Sequence, residues 1–304
     1  MLYTQVTPAE KRAAFRERLR QPGIVQFPGA FNPLSARLIQ EKGFDGVYIS
    51  GAVISADLGL PDIGLTTLHE VAARGGQISR MTELPTIIDA DTGFGEAMNV
   101  ARTVQTLEDA GISGLHIEDQ INPKRCGHLD GKSVVDDATA VQRISAAARA
   151  RRDPNLLIIA RTDIRAISGL DAAIDRAQQL VDAGADAIFP EAMVDLGEFE
   201  AVKSALGDVP VLANMTEFGK SQLFTKEQLE SAGIDIVIYP VSLLRVAMGA
   251  AERALETLKA DGSLAAEVPT MQTRARLYEL LDYEAYNTFD SGIFNFSLEQ
   301  HYGA

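Results

Sequence analysis

One cysteine, Cys126, and no tryptophan occur in 304 residues. A single thiol rules out any disulfide framework within the chain, and such sparing use suits a reducing compartment. No apolar run approaches the roughly 18 residues a membrane span needs, and the opening MLYTQVTPAEKRAAFRERLR is charged throughout, without a signal peptide's apolar centre. The expectation is a cytoplasmic protein with no membrane partner. Positive charge is also short: 28 Lys and Arg against 42 Asp and Glu leave a net of -14. That balance repels phosphate backbones, so nucleic acid is not expected as a partner. A small anionic substrate is admissible only where arginines or a metal ion reverse the field inside a cleft. No G-x-G-x-x-G follows a strand and no G-x-x-x-x-G-K-[ST] occurs, leaving no support for a dinucleotide or P-loop site.

What is present is a repeat. Short β-branched runs lie at 24–28, 46–50, 85–91, 114–119, 156–162, 187–191, 210–215 and 235–240, each followed by a helix-like segment such as LDAAIDRAQQLVDAGA at 170–185. Eight such units favour a closed (β/α)8 barrel over an open doubly wound sheet, in one domain over 1–304 with a helical extension from about 270. Lys42-Gly43, Ala110-Gly111, Ala183-Gly184 and Ala232-Gly233 read as helix C-caps turning into the next strand.

In a barrel of this type the chemistry sits at the carboxyl ends of the strands. Those ends carry Ser50, Asp89, Asp91, Glu118, Asp119, Arg161, Asp163, Glu191 and Asn214, with Arg245 just after the eighth. Burial explains the strands but not this loading. Residues two apart on a strand face the same way, so Asp89 and Asp91 are expected to project together and, with Glu118, to suit a hard divalent cation such as Mg2+. A bland alternative makes Asp91 a turn cap before Gly93. His116 and His128 lack zinc-site spacing, and His116 reads as a packed barrel residue. Arg161 and Arg245 suit carboxylates, although Arg161 could equally pair with Glu118 or Asp163. Cys126, between Lys124-Arg125 and Gly127-His128, has the basic, glycine-rich surroundings that lower a thiol pKa.

Nearly end to end, the motifs resemble the isocitrate lyase and phosphoenolpyruvate mutase superfamily. They are YISG at 48–51, LGLPDIG at 58–64, DADTGFG at 89–95, HIEDQ at 116–120, KRCGH at 124–128, ARTD at 160–163, FPEA at 189–192, NMTEFG at 214–219 and TMQTR at 270–274. KRCGH resembles the loop of its carbon-carbon lyases, and NMTEFG its methylisocitrate branch. Two departures are a loop one residue shorter, with Ala52 and Val53 after Gly51 where the family commonly has consecutive glycines, and a short EAMN segment at 96–99.

The resemblance implies cleavage of 2-methylisocitrate, a small tricarboxylate, to pyruvate and succinate in the methylcitrate cycle of propionate catabolism. It implies Mg2+, with Mn2+ as substitute, at Asp89 and Asp91, supported by Asp62 and Glu118. A substrate shell of Ser50, Gly51, Ala52, Cys126, Gly127, Arg161, Glu191, Asn214, Met215, Thr216, Arg245 and Arg274 is implied too. The expected tetramer swaps its last helical segment between barrels. Tyr48 is nominated as the base for the 2-hydroxyl proton, and Cys126 as the acid that protonates the succinate carbanion. Rival readings are a 2,3-dimethylmalate lyase, an isocitrate lyase or an oxaloacetate hydrolase. From another class comes a silent scaffold barrel, which should have lost its ionisable strand ends.

Overall fold

The computed structural model describes residues 4–125, 131–219 and 222–294. All eight expected strands form: β1 Val25–Pro28, β2 Val47–Ile49, β3 Thr86–Asp89, β4 Gly114–Glu118, β5 Leu157–Thr162, β6 Ala187–Pro190, β7 Leu212–Asn214 and β8 Ile236–Tyr239. Every ladder is parallel, in two arcs ordered β2-β3-β4-β5-β6 and β1-β8-β7. Parallel bridges Gly29 to Tyr48 and Ile188 to Val211 join the arcs, so the strands follow one another around a ring in chain order.

Strand alternation then decides what the ring encloses. One apolar cluster takes alternate strand residues, among them Val25, Phe27, Ile87, Leu157, Ile159, Phe189, Leu212 and Ile238. The intervening residues, such as Ile88, Leu115, Ile158 and Ile188, join the cluster formed with the helices. Extending the inner set by two residues leads from Ile87 to Asp89, from His116 to Glu118 and from Ile159 to Arg161. The same step leads from Phe189 to Glu191 and from Leu212 to Asn214. The period that fills the barrel with hydrocarbon therefore delivers polar groups to its carboxyl end.

The four anticipated helix ends occur as read, and each closing glycine, at 43, 111, 184 and 233, has a positive φ (77, 84, 108 and 80°) that a side chain would strain. An element not anticipated is the helix Pro8–Leu19, closed at its start by a Thr7–Glu10 capping box. Its Phe15 packs on Phe27 at 5.1 Å between ring centroids, while Lys11 donates to the carbonyls of Ser79 and Thr82. This helix covers the apolar inner residues at the amino-end side, leaving the carboxyl end as the chemically open one.

The chain divides into a barrel body, Val6–Val246, and a second unit made of Met1–Gln5 and Ala247–Ala304, which contains the helices Arg274–Leu280 and Tyr283–Phe294. Among the described residues, no helix is long and apolar enough to cross a membrane.

Candidate active site

At the carboxyl end of β3 the strand stops at Asp89, and Asp91 lies beyond it with a left-handed backbone (φ 46°). Strand alternation therefore does not align the two carboxylates. A turn does, and the Asp91 N–H donates to Asp89 Oδ1 at 3.0 Å. The opposite wall is Gly51: a Cβ there would come within 2.8 Å of Asp89 Oδ2 and 3.4 Å of Asp91 Oδ1. The Gly51 N–H donates to Asp89 Oδ2 at 3.3 Å. Ser50, buried beside it, makes no side-chain cap to the helix Gly51–Asp57.

Behind Asp89 lies a Tyr48–His116 pair, with Oη and Nε2 at 2.7 Å and His116 Nδ1 at 3.7 Å from Asp89 Oδ1. His116 also meets the edge of Phe189. Burial brings the imidazole down to about 4, so it is neutral at physiological pH. Burial, reinforced by the charge of Asp89, pushes the Tyr48 phenol well above its usual range.

Arg161 is the cation at the centre. Its Nε and Nη2 grip Asp163 at 3.0 and 3.2 Å, Nη1 lies 3.1 Å from Glu118 Oε2, Nη2 lies 3.6 Å from Glu191 Oε2, and the guanidinium covers Phe189. Both partners named as alternatives for this arginine are thus engaged. Asp163 is also held by Lys132 at 2.7 Å. Asp119 receives the Thr162 hydroxyl, the Asp163 N–H and Arg176, tying the ends of β4 and β5 together. Glu191 accepts from Asn214 Nδ2 at 3.3 Å and from the N–H of Ala192, whose φ is 63°. Arg245 donates to Thr216 Oγ1 at 3.1 Å and to Glu217, and lies over the exposed ring of Phe218. Met215 is buried and its sulfur accepts from the Phe224 N–H. Asp91, Phe94, Ala192 and Phe218 are four non-glycine residues with positive φ, all just past β3, β6 or β7. Such strain gathers where loop geometry serves a site.

The charges do not balance. Asp62, Asp89, Asp91, Glu118, Asp163 and Glu191 face only Lys124, Lys132 and Arg161 among these contacts. Burial works against ionised Asp89, but His116, Lys124 and Arg161 outweigh it and hold that acid at about 2. Burial and the neighbouring Asp89 push Asp91 up to about 6, and burial drives Glu118 well above its usual range. Asp91 Oδ1 and Glu118 Oε2 meet the ammonium of Lys124 and the guanidinium of Arg161, and buried Glu118 Oε1 has no hydrogen-bond partner among the described residues. No three His, Cys, Asp or Glu side chains among the described residues converge to hold an ion directly. Surplus negative charge, an orphaned carboxylate oxygen and few direct ligands fit a hard dication that keeps part of its water shell.

Cys126, Gly127 and His128 lie outside the described residues, and Arg274 falls in the second unit. Sequence reasoning missed two members. It credited Lys124 only with tuning the thiol, and no spacing rule links it to Asp62; Lys132, beyond a glycine, carries no motif at all.

A ring of parallel strands with ionisable groups gathered at one mouth, under strained loops, defines an α/β-barrel enzyme. Residues 15–259 match the phosphoenolpyruvate phosphomutase family, and the chain belongs to it. The probable 2-methylisocitrate lyase 2 of Corynebacterium glutamicum is 56% identical over 97% of this chain and 96% of its own. The 2-methylisocitrate lyase of Escherichia coli is 45% identical over 90% and 93%. Among solved structures, a 2,3-dimethylmalate lyase superposes with a TM-score of 0.88 at 34% identity, covering 96% of this chain and 97% of that one. A phosphonopyruvate hydrolase solved with oxalate and Mg2+ superposes with a TM-score of 0.84 at 28% identity, covering 92% and 98%.

Proposed function

We propose that the protein is a Mg2+-dependent carbon-carbon lyase that cleaves 2-methylisocitrate to pyruvate and succinate, in the cytoplasm and within propionate catabolism. Membership of the family and the 56% identity to a 2-methylisocitrate lyase support the reaction. The observation that carries the chemistry is the Asp89–Asp91 turn against Gly51, with its unbalanced carboxylates.

In this reading Asp89 and Asp91 would hold the cation, supported by Asp62 and Glu118. The ion supplies Lewis-acid polarisation of the substrate's 2-hydroxyl and adjacent carboxylate. Ser50 and Arg245 bind carboxylates, together with the backbone around Ala52 and the Asn214–Thr216 segment. The Gly51 N–H is committed to Asp89, so this donor reaches substrate only by being shared. Tyr48 is too weakly acidic to begin as a phenolate. It works as a base by passing its proton to neutral His116 Nε2 while taking the 2-hydroxyl proton. Cleavage throws charge onto succinate, where Arg161 stabilises it, with Glu191 and Asn214 positioning the guanidinium. Cys126 protonates the carbanion. The retained ionisable strand ends weigh against a silent scaffold.

The test is 2-oxo acid release from a panel of 2-hydroxy polycarboxylates. 2-Methylisocitrate should give the highest kcat/KM, and Asp89→Ala should lower activity at saturating Mg2+ by at least about a thousandfold. Preference for 2,3-dimethylmalate, isocitrate or oxaloacetate would overturn the substrate assignment. A metal titration unchanged in Asp89→Ala would overturn the cation site.

The homotetramer is proposed on the helix Ser242–Asp261, which buries none of its side chains, and on exposed Leu255, Met271, Phe289 and Ile293. Sedimentation equilibrium should give about four times the 32.7 kDa chain mass, and a single-chain mass would refute it.

A further inference from the structure

The cations at this mouth differ in kind. Arg161 is locked by a fork of directed hydrogen bonds, whereas Lys124 bridges two carboxylates through one ammonium. Its side chain is 2% exposed, and Nζ lies 2.9 Å from Asp91 Oδ1 and closer still to Asp62 Oδ1. An ammonium makes that kind of contact as a compact point charge, without the fork of a guanidinium. Asp89 and Glu118 are the remaining acids acting on it, and among the described residues no second cation pairs with Asp62 or Asp91.

The stem that delivers Lys124 runs beside Gly64, whose φ of 76° is one that glycine adopts without strain. The LGLPDIG segment thus supplies Asp62 as an anchor and a glycine turn against the lysine stem.

The oxygens that hold Lys124 are among those proposed for the metal. An ion on Asp91 Oδ1 at the roughly 2.1 Å of a Mg–O bond lies no more than about 5 Å from Nζ at its present position. Two positive centres that close, in a buried site, repel strongly.

We infer that Lys124 is the resident counter-ion of this site: it neutralises Asp62 and Asp91 in the metal-free protein and competes with the divalent cation, so that it sets the metal affinity. This rests on the proposed cation site at Asp89 and Asp91. Two consequences follow. The acids stay folded without metal, and the metal stays exchangeable. A purely structural lysine would act in the opposite sense, because its removal would loosen Asp62 and Asp91 and weaken metal binding.

The experiment titrates MgCl2 into chelator-stripped, full-length protein without substrate, by calorimetry, and records Tm with and without saturating Mg2+. Lys124→Met should bind Mg2+ at least tenfold more tightly than wild type. Its metal-free Tm should fall, and Mg2+ should raise it by more than it raises the wild-type Tm. Lys124→Arg, which keeps the charge, should stay within about threefold of the wild-type Kd. Lys124→Gln serves as a second neutral variant, and metal-free unfolding of either neutral variant that Mg2+ reverses supports the counter-ion role. An equal or weaker Mg2+ affinity in a folded neutral variant overturns it. Absence of Mg2+ binding in wild type and variants alike overturns the cation site itself, and this inference with it.

Discussion

Replacing Cys126 by serine is expected to lower kcat by about 10² to 10⁴, the range a positioned general acid supplies, while fold and Mg2+ affinity are kept. Cleavage leaves a carbanion beside a carboxylate, and product forms only when that carbon gains a proton. A thiol, with an ordinary pKa near 8.5, gives up a proton far more readily than a serine hydroxyl. The described residues on either side of the cysteine are tied to the mouth. Arg125 exchanges two hydrogen bonds with the Gln120 side chain, and Lys124 pairs with Asp62 and Asp91. After the cysteine, Lys132 pairs with Asp163, and the Ile121 N–H donates to the Ser133 carbonyl. Both approaches to Cys126 are therefore anchored on acids of the site, so little substitution is needed to remove the acid and nothing else. Single-turnover measurement of pyruvate and succinate separates the steps. In Cys126→Ser the release of succinate should slow most. Turnover within threefold of wild type in a folded sample would refute the acid assignment.

The fold could be read in the chain because β/α barrels repeat one signal eight times. Each strand is a β-branched run, four helix ends carry an Ala-Gly or Lys-Gly pair, and the structure places all eight strands within two residues of the expected bounds. The inner polar ring was legible for the same reason, since Glu118, Arg161 and Glu191 extend an alternation already visible in the apolar residues. Asp91 marks where that logic stops. Alternation aligns it with Asp89, and the alternative reading puts it in a turn before Gly93; β3 ends first and a left-handed turn brings the pair together. A backbone φ is set by the loop as a whole, and no spacing rule reports it. Lys124 and Lys132 were obscure for a related reason. Their partners are 62 and 31 residues away in sequence, and only the alignment of strands within the β2–β5 arc brings them into contact. The Tyr48–His116 hydrogen bond needs the register of β2, β3 and β4 together.

Arg161→Ala should produce the largest combined loss of stability and activity. Three buried acids, Glu118, Asp163 and Glu191, share this one guanidinium, while Lys132 also pairs with Asp163 and the charge of Lys124 reaches Glu118. Removing one member of a buried ion pair leaves an uncompensated charge and costs about 3–5 kcal/mol. For a folded body of this size that corresponds to a fall in Tm of about 10 °C. Glu118, already pushed up by burial, then takes a proton and keeps it. The activity loss has a separate cause in the proposed mechanism, where Arg161 is the donor to the charge developing on succinate, and one such donor is worth about 10² to 10³ in kcat. Two further variants divide the effects. Arg161→Lys restores one positive charge but cannot grip Asp163 through two nitrogens, so it should recover much of the Tm and little of the kcat. Adding Asp163→Asn to Arg161→Ala removes one stranded acid, so it should recover part of the Tm and none of the kcat. Thermal unfolding and kcat/KM are measured on all four proteins. An Arg161→Ala enzyme with unchanged Tm would mean that the acids are compensated elsewhere. A kcat within tenfold of wild type would mean that the guanidinium serves only to hold β4, β5 and β6 together.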